Sequence, residues 1–267
     1  MRQAQKKAPD KLGAEVRAAR LAAIAAKDRE YHRRVAAHYD RAITDIYAIY
    51  HRFDLDPWVA AVAARHPNGL ALDVGAGTGV VADVLAAAGF RVWAIDHSED
   101  MLKVARRRSE SRPRPFSLLQ GDVVRLPFRE ATFDVVTMQG ILHHVPLALD
   151  EVIAQASRVL RPGGEFYIAE PCDGLSLVGR ILRSPLWFRP YDPNGEETDE
   201  EALVWEPFSH ALKAAGLEYT AKFLTHIPSA HFHYWLPAEA RIAITRLLSF
   251  PFKRGDLLFV HGQKPRS

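Results

Sequence analysis

Cysteine is almost missing: Cys172 is the single one in 267 residues. It cannot close a disulfide within the chain, and its isolation excludes a cysteine-rich zinc site. This usage fits a reducing cytoplasm. No apolar run approaches the roughly 20 residues needed to cross a bilayer. The basic, alanine-rich start, "MRQAQKKAPDKLGAEVRAARLAAIAAKDREYHRR", has charges interrupting its apolar stretch and does not read as a signal peptide. Net charge is only +3, so charge gives no argument for a nucleic-acid partner. There is no internal repeat and no low-complexity tract.

What is present is an ordinary globular balance, 48% hydrophobic and 25% charged residues, enough to bury a core of useful size. The middle of the chain alternates between β-type runs and helical patterns. "LALDVGAG" is a strand running into a turn, and "TGVVADVLAAAG" is a helix stopped by Gly89. "RVWAIDHS" is a second strand, followed by a helix with Ser98 as N-cap and Glu99 and Asp100 in its first turn. "FSLLQGD" and "FDVVTMQGILHHV" supply strands three and four; the fourth turns at Gln139 and Gly140. A helix, "ALDEVIAQASRVL", ends at "RPGG", and "EFYIAEP" is strand five. Near-continuous apolar strands separated by helices predict a mostly parallel, doubly wound α/β sheet.

After Pro171 the rhythm breaks. A helix at "EPFSHALKAAG" and an edge strand near "LEYTAKFL" return, and "DLLFVHGQK" is the final strand. The predicted organisation is a helical lid over residues 1–50 and one domain over residues 51–267. Cap insertions fall at about 173–205 and 228–255. The lid contains an amphipathic helix from about Ala14 to Ala37, read as a packing element rather than a nucleic-acid arm.

The turn after strand one reads Gly75-Ala76-Gly77-Thr78-Gly79. Ligands of open α/β sheets bind where strand order reverses, and glycine lets backbone approach them closely. No lysine follows, which excludes a P-loop, and the spacing is not GxGxxG. Asp96, at the end of strand two, is positioned to accept both hydroxyls of a ribose. Asp122, at the end of strand three, can accept from an adenine amino group, with Val123 packing on the ring. Ribose is therefore expected and pyrophosphate is not.

Taken in order, "LDVGAGTG", "AIDHSEDML", "LQGDVVRLPFREATFDVVTMQGILHHV" and "RVLRPGGEFYIAEP" resemble the class I S-adenosylmethionine-dependent methyltransferases. The match is to the branch containing ubiquinone-biosynthesis-like small-molecule enzymes. It covers about residues 31–171 well and the final strand more weakly. The resemblance implies a Rossmann-like seven-stranded sheet with its last strand antiparallel, S-adenosyl-L-methionine as cofactor and S-adenosyl-L-homocysteine as product. It implies that Asp73, Gly75, Gly77, Gly79 and Gln139 hold the methionine portion and that Asp96 holds the ribose. His97 and Met101 would flank the adenine, whose edge meets Asp122 and Val123. The segment "YHRRVAAHYD" resembles an aromatic lid that closes over the cofactor, pointing to Tyr31 and Tyr39; helix packing explains these tyrosines equally well.

Transfer to a hydroxyl needs alignment, exclusion of water and a base. His143 and His144, beyond the strand-four turn, are the candidates, against a merely packing role. His226, His231, His233, Tyr234 and Trp235 form a second group. His231 and His233 share a strand face, but no Asp, Glu or Cys lies near them in sequence, so no metal is expected there. His231, His233, Trp187 and Tyr191 are candidate substrate contacts, with Trp205 beside them; a large cap also needs aromatics for its core. "RILRSPLWFRPY" reads as a lid over an apolar acceptor, or as an interfacial segment. "ARRRSESRPRP" is a solvated helix end. "MQGILHH" replaces the "NPPY"-like residues of enzymes that methylate adenine or glutamine amides. The expected activity is methylation of a small, partly apolar metabolite at oxygen, in the cytoplasm, with no nucleic-acid partner. The alternatives are a non-methylating cyclase or binding role, and methylation of a lipid-linked or macromolecular acceptor.

Overall fold

The computed structural model describes residues 13–42, 54–172, 202–224 and 257–266. Its helices are α1 (Ala14–Val35), α2 (Tyr39–Ala42), α3 (Asp56–Arg65), α4 (Val80–Ala87), α5 (Glu99–Glu110), α6 (Leu149–Val159) and α7 (Trp205–Ala214). The strands are β1 (Leu70–Val74), β2 (Arg91–Asp96), β3 (Ser117–Gln120), β4 (Phe133–Gln139), β5 (Leu160–Pro171), β6 (Glu218–Leu224) and β7 (Leu257–Gln263).

The seven strands form one sheet in the order β3-β2-β1-β4-β5-β7-β6. The first five in sequence pair in parallel, and β7 runs antiparallel to both β5 and β6. Strand order reverses between β1 and β4, which opens a crevice at their carboxyl ends. Alternation along each strand sends side chains to two separate cores. Leu72, Val74, Val136 and Met138 pack with Val152 and Ile153 of α6 and Phe208 of α7. Ala71, Val92, Val135 and Tyr167 pack on the other face with Val59 of α3 and Leu85 of α4. Covering both faces explains why the strands carry so few polar residues.

The predicted N-cap is present: Ser98 is extended, and its Oγ accepts from Met101 N at 3.3 Å. One boundary differs. "RPGG" does not separate α6 from strand five, because β5 already begins at Leu160. Gly163, at φ 77°, donates to Lys264 O, so this segment is held against the chain's last strand. The helix expected to reach Ala37 ends at Val35. α1 is tied to the sheet's carboxyl edge, where Arg17 Nε donates to Leu147 O at 2.8 Å. No helix among the described residues is long and apolar enough to cross a membrane. Most of the predicted cap insertions, with Trp187, Tyr191, His226, His231, His233, Tyr234 and Trp235, lie outside the described residues. Trp205 is described and does not face the crevice. It opens α7 and packs edgewise on Phe208, Tyr219 and Phe223.

Candidate active site

The crevice is a cavity of about 480 Å³, floored by the carboxyl ends of β1 to β4 and roofed by α1 and Tyr39. Parallel pairing sets Val74 beside Ile95 and Met138, and Asp96 beside Gln120. The residues just past each strand therefore form one row, although long stretches of sequence separate them.

The glycines divide by role. Gly75 has φ 68°, and a Cβ there would lie 2.5 Å from the Ile141 side chain. Gly77 has φ 51° with nothing near its missing Cβ, so its open side belongs to the cavity it lines. Gly79 is a correction. It does not line the cavity; it is the left-handed N-cap of α4, and a Cβ there would strike Phe116 at 2.8 Å. Its need for glycine is conformational and steric. Four of the loop's five N–H groups are also engaged. Gly75 N and Ala76 N donate to Ile95 O, Gly77 N to Asp96, and Gly79 N to Ala76 O. With Gly75, Ala76, Gly77 and Gly79 engaged internally, these four N–H groups form no anion nest.

Asp73 is buried and works through other groups. Its carboxylate accepts from Ala82 N at 3.1 Å, capping α4, and from Thr137 Oγ1 at 2.9 Å, joining β1 to β4. Burial pushes its carboxyl up to about 7; the Asp96 charge adds to this, and the two hydrogen bonds oppose it. Asp96 is pinned by two backbone donors, Gly77 N and Ser98 N, each at 2.8 Å. It lines the cavity with lone pairs to spare. Asp122 holds its own turn through Val124 N at 2.9 Å, and Asp122, Val123 and the buried Met101 line the same cavity. At the end of β4, both amide atoms of Gln139 are buried and have no hydrogen-bond partner among the described residues. Leaving such a group unsatisfied costs about 1–3 kcal/mol, so Gln139 is suited to a polar ligand in the cavity it lines.

The histidine pair splits. His143 does not line the cavity: its Nδ1 lies 2.7 Å from Oε2 of Glu170, which is wholly buried. The other oxygen of Glu170 accepts from Ile141 N and Leu142 N at 2.8 Å each. His143 thus belongs to a polar knot that holds the β4 turn, and the expectation that it reaches an acceptor is corrected. His144 does line the cavity, with Nδ1 3.0 Å from Oδ1 of Asp28 on α1. Burial pushes the Asp28 carboxyl up, but the imidazoles of His144, His32 and His97 outweigh it and hold the group well below the usual carboxylate range. Tyr39 lines the cavity, whereas Tyr31, outside it, sets its ring at a tilt to His32 with centroids 5.6 Å apart.

Several participants escaped the sequence reading. Asp40 accepts from Thr78 Oγ1 at 2.5 Å and pairs with Arg108, which also donates to Thr78 O at 3.0 Å. It therefore latches α2 to the glycine turn. Its signal was the "YD" of the lid segment, where the tyrosine drew attention instead. Asp28 and His32 stand one turn apart on α1, a spacing visible in sequence but without meaning until their neighbours are known. Glu170 had no signal beyond its place at the end of an apolar strand.

The seven-stranded sheet, with a crevice at its switch point and a carboxylate ending β2, is a doubly wound Rossmann-like α/β fold. A model of the methyltransferase domain matches residues 72–168. A demethylmenaquinone methyltransferase from Thermobifida fusca is 36% identical over 201 residues, 69% of this chain and 83% of that protein. A ubiquinone/menaquinone biosynthesis C-methyltransferase from Brucella anthropi is 33% identical over 143 residues. That match spans 51% of this chain and about half, 54%, of the relative. Among solved structures, an S-adenosylmethionine-dependent methyltransferase from Thermotoga maritima superposes with a TM-score of 0.55 at 20% identity. That superposition covers 87% of this chain and 97% of the other, a likeness of fold. The chain belongs to the class I S-adenosylmethionine-dependent methyltransferases.

Proposed function

We propose that the cavity beneath α1 holds S-adenosylmethionine and that the enzyme methylates a small, partly apolar, hydroxylated acceptor at oxygen. The observation that carries this reading is the unsatisfied, buried Gln139 amide facing the same cavity as the pinned Asp96 carboxylate. One end of the cavity suits a ribose and the other a polar amino-acid tail. When bound, the cofactor supplies a methyl group made electrophilic by its sulfonium.

Asp96 accepts the ribose hydroxyls, and its two backbone donors keep it in place before the ligand arrives. Asp122 takes the adenine amino group while Val123, Met101 and His97 wall the ring. Gln139 meets the methionine end, Gly77 gives it room, and Gly75 lines the same wall. Asp73 shapes the turn from the cavity wall, and Gly79 shapes it from outside the cavity. His144 removes the acceptor proton. With Nδ1 engaged by Asp28, its second ring nitrogen takes that role.

A second reading places the methyl on a ring carbon. A deprotonated ring hydroxyl spreads charge onto adjacent carbons, so the same base would serve. The printed names of the T. fusca and B. anthropi relatives favour it. The test is incubation with S-adenosylmethionine and a panel of hydroxylated aromatic and quinol acceptors. S-adenosylhomocysteine is quantified and the product's methyl position read by NMR. Equal release of S-adenosylhomocysteine and methylated product is expected. Failure to bind S-adenosylhomocysteine in calorimetry at millimolar concentration overturns the reading.

A further inference from the structure

Asp28 and His32 project from one face of α1, and that face meets His97 just beyond β2. Asp28 Oδ2 lies 2.6 Å from His97 Nε2 and 3.2 Å from His32 Nδ1. One donor atom from each of the three residues falls within 4.8 Å of the others. A second observation points to a ligand. His32 is 8% exposed, and its Nδ1, at ion-pair distance from Asp28 Oδ2, has no aligned hydrogen bond among the described residues. A buried ring nitrogen left this way is costly, by about 1–3 kcal/mol, and a coordinated ion would satisfy it.

We propose that Asp28, His32 and His97 form a binding site for a zinc-type divalent ion that clamps α1 onto the carboxyl edge of the sheet. Two imidazoles and a carboxylate suit borderline transition-metal ions, whereas calcium and magnesium demand oxygen ligands. Zinc bonds to nitrogen and oxygen of ~2.0–2.2 Å place tetrahedral ligand atoms roughly 3.3–3.6 Å apart. The present contacts need open by only about 1 Å to reach that spacing, within reach of side-chain torsions. Three protein ligands leave a coordination position for water or a further donor. It would adjoin the cavity, which all three residues line. The other carboxylate oxygen, Oδ1, stays with His144 Nδ1 at 3.0 Å, so the ion and the base share one carboxylate without competing for an atom. The site departs from the expectation of no metal because that expectation looked for a carboxylate close in sequence to His231 and His233. This one joins a helix to a distant strand end.

The site does not depend on the methyl-transfer reading. The experiment uses untagged, full-length protein treated with a chelator and dialysed. It is titrated with Zn²⁺ by calorimetry and with Co²⁺ by visible absorption. The expected results are one ion per chain, the d–d spectrum of Co²⁺ held by nitrogen and oxygen ligands, and slower proteolysis of α1 in Zn²⁺. His32→Gln should keep its circular dichroism spectrum and bind at least about tenfold more weakly. No saturable binding up to millimolar Zn²⁺ overturns the proposal, and so does an isotherm that His32→Gln leaves unchanged. S-adenosylhomocysteine binding, measured separately on metal-free protein, distinguishes failure of this site from failure of the methyltransferase reading.

Discussion

Asp28 Oδ1 and His144 Nδ1 stand 3.0 Å apart across the cavity, one on the roofing helix and the other beyond the β4 turn. The contact brings α1 into the candidate active site, because the helix carries the carboxylate beside the candidate base. It also separates His144 from His143, whose partner is the buried Glu170.

From that separation follow two different mutant phenotypes. His144→Ala should lower kcat by about 10²–10⁴ with little change in melting temperature. His143→Ala should instead destabilise the fold by about 1–3 kcal/mol, since it strips a partner from a buried carboxylate. Steady-state kinetics beside urea denaturation decides this. Equal kinetic losses in both variants would contradict the assignment.

Asp96→Asn tests the cofactor site. The amide keeps the size of the carboxylate but trades one acceptor oxygen for a donor, which opposes Gly77 N or Ser98 N. S-adenosylhomocysteine affinity should fall at least about tenfold, the effect of losing about 1.4 kcal/mol of charged hydrogen bonding. Calorimetry reads it directly, and unchanged affinity would remove Asp96 from the site.

Glycine substitutions should rank by surroundings. Gly77→Ala meets open space and carries only the left-handed backbone penalty, about 1–2 kcal/mol. Gly75→Ala adds overlap with Ile141 and should cost more. Pairing it with Ile141→Ala should recover part of that loss, a non-additivity that chemical denaturation of the four variants would reveal.

Asp73 predicts a pH dependence. Its folded carboxyl titrates near 7, above its ordinary 3.8, because burial disfavours the charged form. Between these values the folded state holds the proton more tightly than the unfolded chain. Stability therefore falls as pH rises from about 4 to about 7, then levels off for this group. Asp73→Asn should flatten that slope. Urea midpoints across the range test it, and an identical slope in the variant would assign the dependence elsewhere.

Asp40→Ala removes the acceptor of Thr78 Oγ1 and the partner of Arg108. Trypsin should then cut between α1 and α3 faster than in the wild type, with S-adenosylmethionine KM raised more than kcat is lowered.

The sheet was legible because apolar strands separated by helices admit few arrangements. The strand-end residues Asp96, Asp122 and Gln139 were legible because a parallel sheet must gather such residues along one edge. Individual partners were not. Gly79 has the same spacing as Gly77, yet Phe116 and Ala105 stand over it while nothing stands over Gly77. Asp73 reads as a ligand contact from its motif; it lines the cavity, and its helix cap and strand tie were not legible.

The sequence by itself determined the order of elements, the glycine turn after β1 and the carboxylate at the end of β2. These depend on local periodicity, on backbone conformations only glycine tolerates and on the handedness of parallel crossovers. Tertiary structure alone decided that Asp28 serves His144, that His143 serves Glu170, and that His32 and His97 share a carboxylate. Each pairing joins segments remote in sequence, and a hydrogen bond or coordination site depends on distances of a few ångströms that spacing along the chain does not encode.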